Sequence, residues 1–247
     1  MKGVLVALIS DLHGNLLALD AVLADAARAG VDRVVCLGDV ATLGPRPREV
    51  LARLRALGCD CIEGNHDAFL LEAALIRSYT ETPIVVEAVD WCRAQLAPDE
   101  LDFVRTFKSE LRLPLAGGAT LGCYHGTPRS HMEDLPPSAT PAQIDVMLDG
   151  RTATVLAGGH THLQMLRQHR GMLVVNPGSV GMPFVEAPVA GPPTVMAHAE
   201  YAMVEATAAG AVEVRLKRVP LERRALREQA ASCDFPLRDW LVAQYAE

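Results

Sequence analysis

The stretch VLVALISDLHGN, Val4–Asn15, runs through six apolar residues and then turns abruptly to Asp11, His13 and Asn15. A short apolar run that stops at polar residues reads as a strand, and Asn15 after it is placed to cap a helix over residues 15–29 that stops at Gly30. The pattern then repeats. Residues 33–37 read as a second strand, 47–57 as a helix with Pro47 in its first turn and Gly58 at its end, and 59–63 as a third strand. This β-α-β-α-β order predicts an α/β protein built on a mostly parallel sheet.

Outward from there the pattern changes. Residues 68–112 turn helical, with segments 68–77, 83–96 and 98–107 set off by Pro83 and Pro98, and read as an inserted helical cap. Strands resume at 120–124, 152–157 and 172–175, ahead of a Pro/Gly-rich loop over 176–193. A second, more antiparallel sheet is expected to begin there or shortly before. Residues 199–206 and 211–219 flank Ala208-Ala209-Gly210 as a hairpin, and 221–232 and 237–245 read as two short helices parted at Pro236. No repeat or low-complexity segment interrupts the chain, so the expectation is one domain over 1–247, with the cap at 68–112 and a hairpin and helical tail at 199–247.

Composition narrows the function classes. Of the 247 residues 50% are apolar and 21% charged, enough to bury a large core in a soluble globular protein. The run Val4–Ile9 is too short for a membrane span and no small-residue cleavage pattern follows it, so neither a signal peptide nor an anchor is expected. Cys36, Cys59, Cys61, Cys92, Cys123 and Cys233 include no Cys-x-x-Cys spacing, which favours reduced thiols in the cytoplasm. With 30 acidic against 23 basic residues the net charge is −7, which argues against a long nucleic-acid partner. A small phosphate-bearing substrate stays open, because bound cations reverse the local field.

Five apolar strands end in residues able to hold a metal: Asp11 and His13, Asp39, Asn65 with His66 and Asp67, His125, and His160 with His162. Ligands in open α/β sheets gather at the carboxyl ends of strands. Five of the eight histidines fall at these ends, leaving His131, His169 and His198 elsewhere. If one carboxylate bridges, Asp11, His13, Asp39, Asn65, His125, His160 and His162 give each of two divalent ions about four donors, with room for water and substrate. Imidazole, carboxylate and amide donors without thiolate point to manganese first, or iron, zinc, cobalt or nickel, rather than copper(I) or an iron–sulfur cluster. Cys36 and Cys123, inside apolar strands, read as core thiols.

With Asp11-Leu-His13, Gly38-Asp39, Gly64-Asn65-His66-Asp67, His125 and Gly159-His160-Thr161-His162 in this order, the chain resembles the calcineurin-like metallophosphoesterase family. The Gly44-Pro45-Arg46-Pro47 segment and the Asn176-Pro177-Gly178-Ser179 turn resemble its small bacterial, phosphodiesterase-like members. The resemblance implies a four-layer αββα sandwich of two mixed sheets with a helical insert. It also implies a dinuclear phosphoesterase acting on small phosphate esters or nucleotides through in-line attack by a metal-bridging hydroxide. Asp11, His13, Asp39 and His162 would surround one ion and Asp39, Asn65, His125 and His160 the other, with Asp39 as the bridge. His66 would contact phosphate and assist the departing oxygen.

Thr42 stands where many members carry a second Asp, a departure that bears on the support of His66 and not on the metal ligands. Asp67 either orients His66 or serves a local turn. Arg129 is a candidate second contact to substrate phosphate beside Asn65 and His66. Asn176 and Ser179 are expected to shape a turn. Phosphomonoesterase, phosphoprotein phosphatase and a non-catalytic protein-binding scaffold of the same fold are the alternatives, and homo-oligomerisation through the C-terminal hairpin and tail stays open. Gly178-Ser179-Val180-Gly181 has the wrong spacing for a nucleophile elbow, and no Gly-x-x-x-x-Gly-Lys-Ser/Thr loop is present.

Overall fold

The computed structural model describes residues 3–188 and 191–246. The opening apolar run forms β1 (Leu5–Ile9), buried along its whole length. Asn15 then caps α1 (Leu16–Arg28), its Oδ1 accepting from the Ala18 amide at 3.1 Å. Next come β2 (Arg33–Cys36) and α2 (Pro47–Leu57), which Gly58 ends in the left-handed region, and then the short β3 (Asp60–Cys61). Four helices follow: α3 (Asn65–Leu71), α4 (Ile76–Tyr79), α5 (Pro83–Gln95) and α6 (Pro98–Val104). The chain continues through β4 (Leu111–Pro114), β5 (Thr120–Cys123), α7 (Pro141–Leu148), β6 (Val155–Ala157), β7 (Met165–His169) and β8 (Met172–Asn176). It closes with β9 (His198–Ala206), β10 (Val212–Pro220), α8 (Arg223–Ala231) and α9 (Arg238–Gln244).

The strands form two mixed sheets, in the orders β10-β9-β1-β2-β3 and β4-β5-β6-β8-β7. In the first, β1, β2 and β3 run parallel; in the second, β5, β6 and β8 do. Alternation along β1 sets the layers. Val6 and Leu8 join Val35, Leu121, Val155 and Val175 in a core between the sheets, whereas Leu5, Ala7 and Ile9 face Leu19, Val22, Val50 and Leu54 of α1 and α2. On the far side of the second sheet, Leu156 and Val174 pack with Ile144 and Leu148 of α7. The result is helix, sheet, sheet, helix. Each fully buried Leu of these cores contributes ~1.5–3 kcal/mol relative to an exposed one.

Two expectations need correction. The hairpin of β9 and β10 does not belong to a second sheet; β9 lies antiparallel to β1, with Ala7 opposite Met203 and Leu8 opposite Ala202. Its residues are buried almost throughout, so β9 needs cover on both faces, and a place beside β1 supplies it. The second sheet also begins far earlier than the 176–193 loop, at β4, inside the last residues assigned to the helical cap. Among the described residues no helix is long and apolar enough to cross a membrane, and all six cysteines are free thiols.

Candidate metal centre

The loops leaving β1, β2 and β6 take an unusual backbone path. Asp11, His13, Asp39, His160 and His162 all have positive φ, between 44° and 69°, and are five of the eight non-glycine residues in that region among those described. Such a conformation costs roughly 1–3 kcal/mol at each residue and persists only where the surroundings enforce it. Here the enforcement is visible. The Asp67 carboxylate accepts from the amides of Asp39 (2.7 Å), Val40 (3.0 Å) and Gly64 (3.0 Å), tying the loop after β2 to the start of α3. Asp67 therefore serves the local turn, and burial together with the nearby Asp39 pushes its carboxyl up to about 7. Gly64 is required by the same close approach, since a Cβ there would stand 2.1 Å from Asp39 Oδ1. Asn176 donates to the Gly159 carbonyl at 2.6 Å, and Ser179 Oγ donates to the Asp11 carbonyl at 2.7 Å, so both shape turns that hold the ligand-bearing loops.

The two carboxylates are oriented in the same way. Asp11 Oδ2 accepts from the His160 amide (3.1 Å) and Asp39 Oδ1 from the His66 amide (2.8 Å), leaving one oxygen of each turned toward the imidazoles. Asp11 Oδ1 lies 3.4 Å from His162 Nε2; Asp39 Oδ2 lies 3.4 Å from His125 Nε2 and 3.9 Å from His13 Nε2. His13 Nε2 and His162 Nε2 are 3.1 Å apart, as are His125 Nε2 and Asn65 Oδ1. Donors about 2.0–2.1 Å from a tetrahedral ion are separated by about 3.3 Å, close to four of these five separations, the 3.9 Å between Asp39 and His13 being longer. Two groups result, Asp11-His13-His162 and Asp39-His125-His160, all buried. Asp39 Oδ2 stands between them, Asn65 adjoins the second, and Asp11 Oδ1 is buried without any hydrogen bond. This donor set fits a pair of divalent ions.

Each ring is also held from behind, as ligand histidines usually are. The Nδ1 atoms of His13, His125 and His162 meet the carbonyls of Thr42 (3.3 Å), Leu37 (2.7 Å) and Met182 (2.6 Å), which turns every Nε2 inward. Thr42 thus supports the site through its backbone. His160 is reversed, its Nε2 lying 3.2 Å from Asp134 Oδ1, so that Nδ1 is the atom that would meet an ion. Nothing in the sequence singled out Asp134, which reaches the site from the loop after His125. Its removal should matter: Asp134→Ala is expected to weaken manganese binding about 10–100-fold, the usual effect of losing such a partner. Calorimetric titration checks this, and an unchanged affinity would show that the contact does not orient His160.

Electrostatics gives the same picture. Burial alone would lower the His125 imidazole, but Asp39 and Asp11 overcome it and hold it at about 10; His162 is raised in the same way, chiefly by Asp11. Burial raises Asp11, yet His162 and His125 outweigh it and bring the carboxyl to about 2. His13 goes the other way, down to about 3, through burial and the adjacent His162. A proton on His125 therefore helps balance the carboxylates, and a divalent ion would displace it. His66 sits at the rim of this group, its ring edge-on to His13 at 5.2 Å, with Nδ1 buried and unpartnered. Burial lowers it to about 4. Arg129 is not brought in: its guanidinium lies 3.7 Å from Glu133 and donates to the Val146 carbonyl at 3.4 Å.

Known proteins share this fold. The metallophosphoesterase of Sphaerobacter thermophilus superposes with a TM-score of 0.74 at 25% identity, covering 98% of both chains. A hypothetical protein of Pyrococcus horikoshii superposes at 0.77 with 16% identity and the same coverage, a likeness of fold alone. In sequence, an uncharacterized protein of Methanocaldococcus jannaschii is 27% identical over 194 residues, 72% of this chain and 77% of its own. The family model described as the calcineurin-like phosphoesterase superfamily domain matches residues 4–202, and the chain belongs to that superfamily.

Proposed function

We propose that the chain is a dinuclear metal-dependent phosphoesterase acting on small phosphate esters, diesters ahead of monoesters. The observation that carries this reading is the position of Asp39 Oδ2, 3.4 Å from His125 in its own donor group and 3.9 Å from His13 in the other. When bound, two divalent ions supply a positive field for phosphate and lower the pKa of coordinated water. The first ion would be held by Asp11, His13, Asp39 and His162, and the second by Asp39, Asn65, His125 and His160. The site's oxygen and nitrogen donors suit manganese.

The protein's own contribution beyond the ligands is narrow. His66, neutral near pH 7 because burial holds it at about 4, offers a ring N–H as a hydrogen bond to the charge that develops on the departing oxygen. Arg129 faces Glu133, and a diester carries one charge fewer than a fully ionised monoester, so the site as built favours the diester. Steady-state kinetics of the manganese-loaded protein on bis(nitrophenyl) phosphate and nitrophenyl phosphate tests this. A higher kcat/KM on the diester is expected; a clear monoester preference would overturn the diesterase assignment and leave the dinuclear site standing.

A further inference from the structure

One aromatic ring at the centre has no part in the metal chemistry. Tyr79, the last residue of α4, packs against the fully buried Phe69 with ring centroids 5.6 Å apart and planes tilted by 43°, and stands 6.2 Å from the His66 ring and 6.1 Å from the His160 ring. It thus touches the histidine that would meet the departing oxygen and a ligand of the second ion. Yet 44% of it is exposed, so one part of the ring is backed by protein and another is open.

The charge around this ring decides what can lie against it. Asp134, whose side chain is 72% exposed, stands beside His160 at the same rim. A leaving group with further phosphates or carboxylates would meet the like charge of Asp134 at this rim. A neutral flat group meets an aromatic face, where offset or edge-on packing is favourable.

Resting on the phosphoesterase reading, we infer that Tyr79 is a substrate-contacting specificity residue, and that the preferred esters carry a neutral planar ring, aryl or nucleobase, on the leaving-group side of phosphorus. Phe69 fixes the platform and His66 fixes the distance from the ester oxygen. Phosphate itself is held elsewhere, so Tyr79 should govern which ester binds and not whether metal binds.

Calorimetry on the manganese-loaded protein tests this with non-hydrolysable ligands: phenylphosphonate, cyclohexylphosphonate of similar size, and a phosphonate analogue of a nucleoside monophosphate. Wild type is expected to bind a ring-bearing ligand about 2- to 10-fold more tightly than the cyclohexyl compound. Tyr79→Phe should keep that ratio and Tyr79→Leu should erase it, with manganese content unchanged in both. Preference for phenyl would place the ring directly beyond phosphorus, and preference for the nucleoside analogue would place it past a sugar; either supports the assignment. Equal binding of all three ligands, or a ratio untouched in Tyr79→Leu, overturns it without touching the phosphoesterase reading. Failure of every phosphonate to bind the loaded protein would overturn this inference, whereas the phosphoesterase reading falls only if the loaded protein hydrolyses no phosphate ester.

Discussion

Asp39→Asn should leave the fold intact and strip the centre of its function. The substitution preserves shape, and its carbonyl oxygen can still accept the His66 amide that Asp39 Oδ1 accepts now. What it removes is the charge on Oδ2, the atom 3.4 Å from His125 and 3.9 Å from His13. An amide NH2 placed there would point donors at both ions. Bound manganese should therefore fall at both positions, and turnover should drop by about 10³ or more, beyond the loss from one missing transition-state donor. Asn65→Ala is the contrast, since Asn65 adjoins His125 alone and should weaken mainly one ion. Elemental analysis beside kinetics separates the cases. Equal metal loss in the two variants would mean that Asp39 does not bridge.

His66→Ala should give the second large effect, and a different one. Its ring supplies no donor to either group, so metal content should stay near normal while rate falls. Losing one hydrogen-bond donor to a developing charge commonly costs about 10²–10³ in rate, and the loss should be greater for alkyl esters, whose alkoxide leaves poorly, than for nitrophenyl esters. The pH profile carries a sign. An imidazolium acid of ordinary pKa would lose activity as pH rises through about 6.5. With His66 already neutral above about 4, wild type should show no such fall across that range. A descending limb near 6.5 that disappears in His66→Ala would show instead that a full proton is delivered.

The parts of this protein written plainly in its sequence are those where one residue carries both local and chemical information. Asp11, Asp39, His125 and His160 each follow a short apolar strand, so the strand and its ligand could be read together. Asn15 and Gly58 likewise mark helix ends by their own chemistry. Pairing across the chain is different. Nothing local in residues 199–206 says that β9 lies beside β1, since that follows from which strand can cover its buried faces. β4 and β7 are edge strands of mixed polarity, with exposed residues at Arg112 and Leu166, and gave too little alternation to stand out.

Within the site, the missed residues are those that act through space. Asp134 reaches His160 from a loop whose sequence resembles any polar turn, and Tyr79 arrives on a helix of four residues. Arg129 shows the converse. Its placement after His125 suggested a phosphate contact, but Glu133, four residues on, competes for the guanidinium and is already there. Asp67 was open between two roles until its three backbone partners were visible.

The most direct test of two ions working together is a manganese titration of metal-free protein in which bound metal and hydrolysis of bis(nitrophenyl) phosphate are followed in the same samples. Binding should saturate at two ions per chain, with little turnover after the first equivalent, a steep rise with the second, and loss on chelation that added manganese restores. Full occupancy without turnover on this or any other ester of a broad panel would mark the chain as a metal-binding scaffold, and turnover by the metal-free protein would contradict the dinuclear site outright.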